Sequence, residues 1–122
     1  MAVQGGHSGR VQYHAMTDVR ALTALCTCPD RDTARTLARA AVSAGLAACV
    51  NIVEGVVSVY AWQGEINEDA ELLLVAKTTE SAYPELERLW QGQHPYELPE
   101  IIAVPISTGL DAYLAWIRDA CA

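Results

Sequence analysis

Cys26 and Cys28 are separated by one threonine, and that spacing carries more chemical information than any other in the chain. Side chains of an extended strand alternate between faces, so both thiols leave the same side. Thiolate and imidazole are the soft and borderline donors that hold copper well. Cys26, at the end of the first strand, and His94, just after the second helix, are the first candidate metal ligands, at positions that a βαββαβ order can bring together, and Cys28 is a speculative third donor on the face of Cys26. A single Cys-x-Cys lacks the second pair of a zinc knuckle, and its spacing is not the Cys-x-x-Cys of a redox helix. Both cysteines also fit a simpler role as small buried residues, as free thiols often are. His94, before Pro95, also fits the cap of a helix C-terminus. Cys49 lies in an apolar stretch and reads as core, whereas Cys121 sits at a fraying terminus.

Lys77 is the only lysine and falls within an apolar run. A buried amine needs a carboxylate partner or a depressed pKa, and Glu71, Glu97 and Glu100 are the candidate partners; an anion site is the alternative. Arg31, Arg35 and Arg39 recur every fourth residue, a like-charge spacing that weakens a helix slightly. They read as a solvated face or as partners for acids on a neighbouring subunit. Tyr60, Trp62, Tyr96 and Trp116 read as packing, with a cleft between subunits as the alternative. The sequence has no G-x-S-x-G elbow, phosphate loop or G-x-G-x-x-G fingerprint, and no nucleophile–base set can be placed. Catalysis is not expected.

These side chains need a frame, and the hydrophobic periods supply one. Ala21–Cys28 is short, apolar and stopped by Pro29, as a buried strand would be. Asp30 can cap the helix that follows, whose stripe is Ala34, Leu37, Ala38, Ala41 and Val42. Gly45 ends it. Ala48–Trp62 is one long valine-rich strand, with Glu54-Gly55 as a bulge or bend. Gln63-Gly64 turns the chain into a third strand over Glu71–Thr79, leaving the intervening residues to reach beyond the subunit's own sheet. Pro84 suits the first turn of a second helix, with Leu86, Leu89 and Trp90 on its apolar face, and Gln93-His94-Pro95-Tyr96 ends it. Ile101–Ile106 is a fourth strand, placed near an edge by Pro105. Leu110, Tyr113, Leu114 and Ile117 form one face of a last helix. The order β-α-β-β-α-β plus a helix predicts an α+β fold, the ferredoxin-like sandwich with both main helices on one face of an antiparallel sheet.

Composition bounds the function. The 122 residues carry a net charge of −7, and the pI is near 4.7. Binding to nucleic acid or anionic lipid by general electrostatics calls for the opposite sign. No apolar run reaches the roughly 18 residues of a membrane span, and no secretory signal is visible. A cytoplasmic protein with free thiols is expected. Residues 1–19 are polar and breaker-rich, with Met16 as an internal start, and read as a flexible N-terminal extension or leader. His7 and His14 lie there and carry little weight as ligands. The domain is expected over 20–122.

With the elements placed, five ordered segments are recognisable: Leu46–Asn51, Ser58–Gly64, Lys77–Thr79, His94–Ile101 and Tyr113–Ile117. Together they resemble the CutA family of divalent-cation-tolerance proteins over about residues 20–118. The resemblance implies a cytoplasmic homotrimer whose long strands pair across subunit boundaries, and a role in tolerance to divalent cations, copper above all, through copper binding. In that family the metal is attached to the cysteine matching Cys26 and to a His-His pair before Pro-Tyr. Here the second histidine is His94, and Gln93, a poor copper ligand, replaces the first. Copper is thus the expected ion, with zinc and other divalent cations left open. The alternative is a trimeric small-ligand sensor similar to the PII-like proteins, binding an anion near Lys77 in an intersubunit cleft without needing Cys26.

Overall fold

The computed structural model describes residues 19–122. The remaining residues, with His7, His14 and Met16, lie outside that range, and so does nearly all of the expected N-terminal extension. Four strands and three helices follow in the order β1 (Ala21–Cys28), α1 (Arg31–Ser43), β2 (Cys49–Trp62), β3 (Glu65–Thr79), α2 (Tyr83–Gln93), β4 (Ile101–Pro105) and α3 (Asp111–Ala120). The sheet order is β2-β3-β1-β4, and every adjacent pair is antiparallel. This is the expected α+β ferredoxin-like arrangement.

Local chemistry sets the boundaries. Asp30 accepts from the Thr33 amide at 2.7 Å and starts α1, supplying one of the acceptors that the first helical turn lacks. Gly45, at φ +71°, closes the same helix in the left-handed conformation. The β2–β3 turn places Gln63 at φ +51° and Gly64 at φ +84°, the two positive values that a type I′ hairpin requires. Gly55, at φ +81°, sits where the β2–β3 register shifts between Val53 and Val56, as a bulge would.

One face of the sheet carries Ala24, Cys26, Cys28, Leu74 and Ala76, which pack with Ala34, Leu37 and Ala41 of α1 and with Leu86 and Trp90 of α2. The indole N–H of Trp90 donates to the Leu37 carbonyl at 3.0 Å and ties the two helices together. Helix α3 packs at the end of the sheet where β1 begins and β3 finishes; its Arg118 donates to the Val19 carbonyl.

Several sequence expectations are corrected. Strand β3 starts at Glu65, directly after the turn, because the hairpin ladder runs unbroken from Trp62↔Glu65 to Val56↔Glu71. β1 pairs only with Leu72–Thr79, so the far half of the hairpin does project beyond the other strands. Leu110 precedes α3 and is 74% exposed instead of lying on its packed face. Cys121 is buried against Thr78 and Ala48, whereas Cys49 is only half-buried, on the sheet face opposite α1 and α2. Lys77 donates to the Asn51 side-chain oxygen, and among the described residues no carboxylate takes its amine.

Candidate metal centre

β1 and the end of α2 meet at one corner of the core. Cys26 and Cys28 both point into the helix-covered face and are 0% exposed. Cys26 lies opposite Leu74 of β3 and Ile101 of β4, and Cys28 lies opposite Leu72. The β4 ladder ends at Cys26↔Ile101. One residue further along β1, the Thr27 carbonyl accepts the imidazole Nε2–H of His94 at 2.8 Å. His94 caps α2 in extended geometry, which turns its ring inward and leaves it 8% exposed. Gln93, the preceding residue, is exposed.

The ligand atoms of Cys26, Cys28 and His94 all lie within 4.8 Å of one another. Two neighbouring cysteines of β1 and a histidine distant in sequence therefore converge. All four cysteines are free thiols.

The imidazole is engaged at both nitrogens. Its Nδ1 accepts from the Tyr96 amide at 3.1 Å. An amide can only donate, so the proton of the ring resides on Nε2, facing Thr27. Tyr96 stacks against the ring at a tilt, centroids 4.8 Å apart, and its hydroxyl donates to Glu71 Oε2 at 2.8 Å. Burial, and then this bond to a carboxylate, push the Tyr96 phenol above its usual pKa.

The two thiols interact, and their pKa values move in opposite directions. Hydrogen bonding to Cys28 and burial raise the Cys26 pKa far above the ordinary thiol value. The same hydrogen bond lowers that of Cys28. The Cys26 thiol itself donates to the Thr27 carbonyl at 3.7 Å. Glu71 and Glu100 oppose ionisation of Cys26 through their own negative charge, a field that favours a cation at the same place.

The other sequence candidates lie elsewhere. Arg31 pairs with Glu54 of its own chain at 2.8 Å on the surface, while Arg35 and Arg39 border a groove between α1 and β2. The hydroxyl of the exposed Tyr60 donates to Asp69, Trp62 is exposed, and Trp116 packs on Tyr113 at 5.3 Å. The Tyr96–Glu71 bond was not anticipated. The Cys-x-Cys spacing placed two ligands on one face, but nothing in the sequence placed Glu71 beside Tyr96, because that pairing depends on the register of β3.

A buried cluster of two thiols and an imidazole on a ferredoxin-like sheet defines a class, a small α+β protein with a group of donors that could hold a metal ion. Residues 22–120 match the CutA1 divalent ion tolerance protein family, and the chain belongs to that family. It is 53% identical over 95 residues to the divalent-cation tolerance protein CutA of Thermus thermophilus, spanning 78% of this chain and 92% of that one. The human protein CutA is 44% identical over 95 residues, again 78% of this chain but only 53% of the longer relative. In structure, a divalent cation tolerance protein from Thermus thermophilus superposes with a TM-score of 0.82 at 49% identity, over 84% of this chain and 99% of that one. The family and the names of these relatives support a role in metal tolerance.

Proposed function

We propose that the protein acts in divalent-metal tolerance by binding copper at Cys26 and His94, as a non-catalytic cytoplasmic homotrimer. The observation that carries the metal reading is the convergence of buried soft donors within 4.8 Å. Such donors suit copper, while zinc shares the same ligand preferences less selectively.

The trimer reading is supported by the sheet face that α1 and α2 leave bare. Leu25 of β1, Leu73 and Val75 of β3, Val53 of β2, and Ile102 and Val104 of β4 share that face by register. The last three are exposed. An apolar face of this breadth is expected to be covered by other copies of the chain. Four free thiols fit a reducing compartment.

Calorimetric titration of copper into the reduced, metal-free protein tests the site, with Cys26→Ser and His94→Ala variants beside it and assembly checked by sedimentation. Saturable binding that weakens in both variants is the expected result. Equal binding by all three proteins, or none, overturns the site and favours the anion sensor. In that alternative the Lys77 ammonium, which donates one of its three N–H bonds to Asn51, keeps two for an anion.

A further inference from the structure

We infer that Cys28 is a third ligand and that the site takes copper as the cuprous ion, held by two thiolates and one imidazole. This inference rests on the copper-site reading above and concerns which ion and which ligands.

The donor set comes first. The cluster contains no carboxylate, and its two sulfurs and one imidazole nitrogen lie within 4.8 Å of one another. Carboxylate, carbonyl and water oxygens suit hard divalent ions, whereas thiolates select cuprous copper and zinc. Coordination number then separates those two. Zinc sites are almost always four-coordinate, by a fourth protein ligand or by water. Here three residues form the group among the described residues. Both cysteines are 0% exposed and His94 is 8% exposed, so solvent water does not reach the sulfurs. A three-coordinate soft ion fits what is present.

The side chains around the cluster are arranged to accept a cation. Loading replaces thiol protons by the metal. The imidazole must release one of its two hydrogen bonds. Ligation through Nδ1 releases the Tyr96 amide and keeps the Nε2–H donation to the Thr27 carbonyl. That is the outer bond which ordinarily fixes the tautomer of a metal-bound imidazole. The bond to the Tyr96 amide is only part-buried whereas that to the Thr27 carbonyl is buried, so releasing the amide costs less.

The test uses the full chain under anaerobic reducing conditions. Cuprous ion is titrated against a chromophoric cuprous chelator, with zinc titrated in parallel, for wild type, Cys26→Ser, Cys28→Ala and His94→Ala. One copper per chain is expected, with cuprous affinity above zinc affinity. Cys28→Ala should weaken cuprous binding by at least the roughly tenfold that loss of an outer-shell partner alone would cost. X-ray absorption on the copper-loaded wild type makes the result independent of any variant's folding and should show two sulfur neighbours. If Cys26→Ser and His94→Ala weaken binding but Cys28→Ala equals wild type, or one sulfur neighbour is found, this inference is overturned while the copper site stands. Tighter zinc than cuprous binding overturns the choice of ion. No capture by wild type overturns the copper site itself.

Discussion

The Nε2 of His94 and the carbonyl oxygen of Thr27 lie 2.8 Å apart, joining the end of α2 to the residue between two buried cysteines. The bond is a structural tie as well as a feature of the candidate site. His94 thus caps α2 and offers a donor to the candidate site at once, two readings that sequence alone set against each other.

Its replacement has a cost apart from metal. His94→Ala leaves the Thr27 carbonyl with only the long contact to the Cys26 thiol and the Tyr96 amide without its acceptor, and losses of this kind cost about 1–3 kcal/mol. Urea unfolding of the metal-free protein should show that loss. A midpoint equal to wild type would mean that water or a rearranged loop satisfies both groups.

Tyr96→Phe removes the donor to Glu71, itself a buried carboxylate. A loss of about 1–2 kcal/mol is expected at neutral pH. The folded-state pKa of this phenol is raised, so its contribution is fully present below the ordinary value of 10.0 and fades as pH rises through the higher folded value. In an alkaline titration followed by tyrosinate absorbance, Tyr96 should ionise late, along with Tyr83, which burial pushes up to about 12. All five tyrosines titrating together near the ordinary value would contradict the arrangement.

Asp30 gives the opposite sign. Hydrogen bonds from Thr33 hold its carboxyl below the usual 3.8, so the stability it contributes is present above that value and is lost as pH falls through the lower folded pKa. Asp30→Ala should lower the urea midpoint at neutral pH, and the gap to wild type should close only in strong acid. A gap that is constant with pH would show that the cap does not act through its charge.

Gly55→Ala meets nothing within 4 Å, so no clash accounts for a loss of stability. The positive φ alone should cost about 1 kcal/mol. Gly92, which shows no positive φ and has equally open surroundings, is the control. Gly92→Ala lies inside α2 and should be neutral or stabilising.

Much of this was legible in the chain because punctuation and period agreed. Asp30, Gly45, Gly64 and Pro84 each occupy positions where only a few residue types suit the backbone, and the elements between them follow. Cys26 and Cys28 sharing a face needed only the period of a strand. What the sequence withheld depends on three-dimensional register. Lys77 meets Asn51 because β2 and β3 pair with Cys49 opposite Lys77, and no carboxylate search along the chain would find an amide. Leu110 follows the helical stripe yet precedes the first turn of α3, where the chain is still extended. Cys121 stands at a terminus, where fraying is the usual expectation, but α3 carries it against Thr78.

The projecting hairpin has a consequence for cooperativity. Between Val56 and Ala70 its two strands are bonded to each other while β1 has already ended, and Ile66 near the tip is 74% exposed. A two-stranded ribbon is marginally stable in water without a third strand or a covering layer. Amide protons there should exchange with solvent while those of Leu74 and Ala76 remain protected, so the molecule opens from this end first. Protection of the ribbon should then rise with protein concentration by mass action wherever other copies cover it, making the hairpin a local reporter of association.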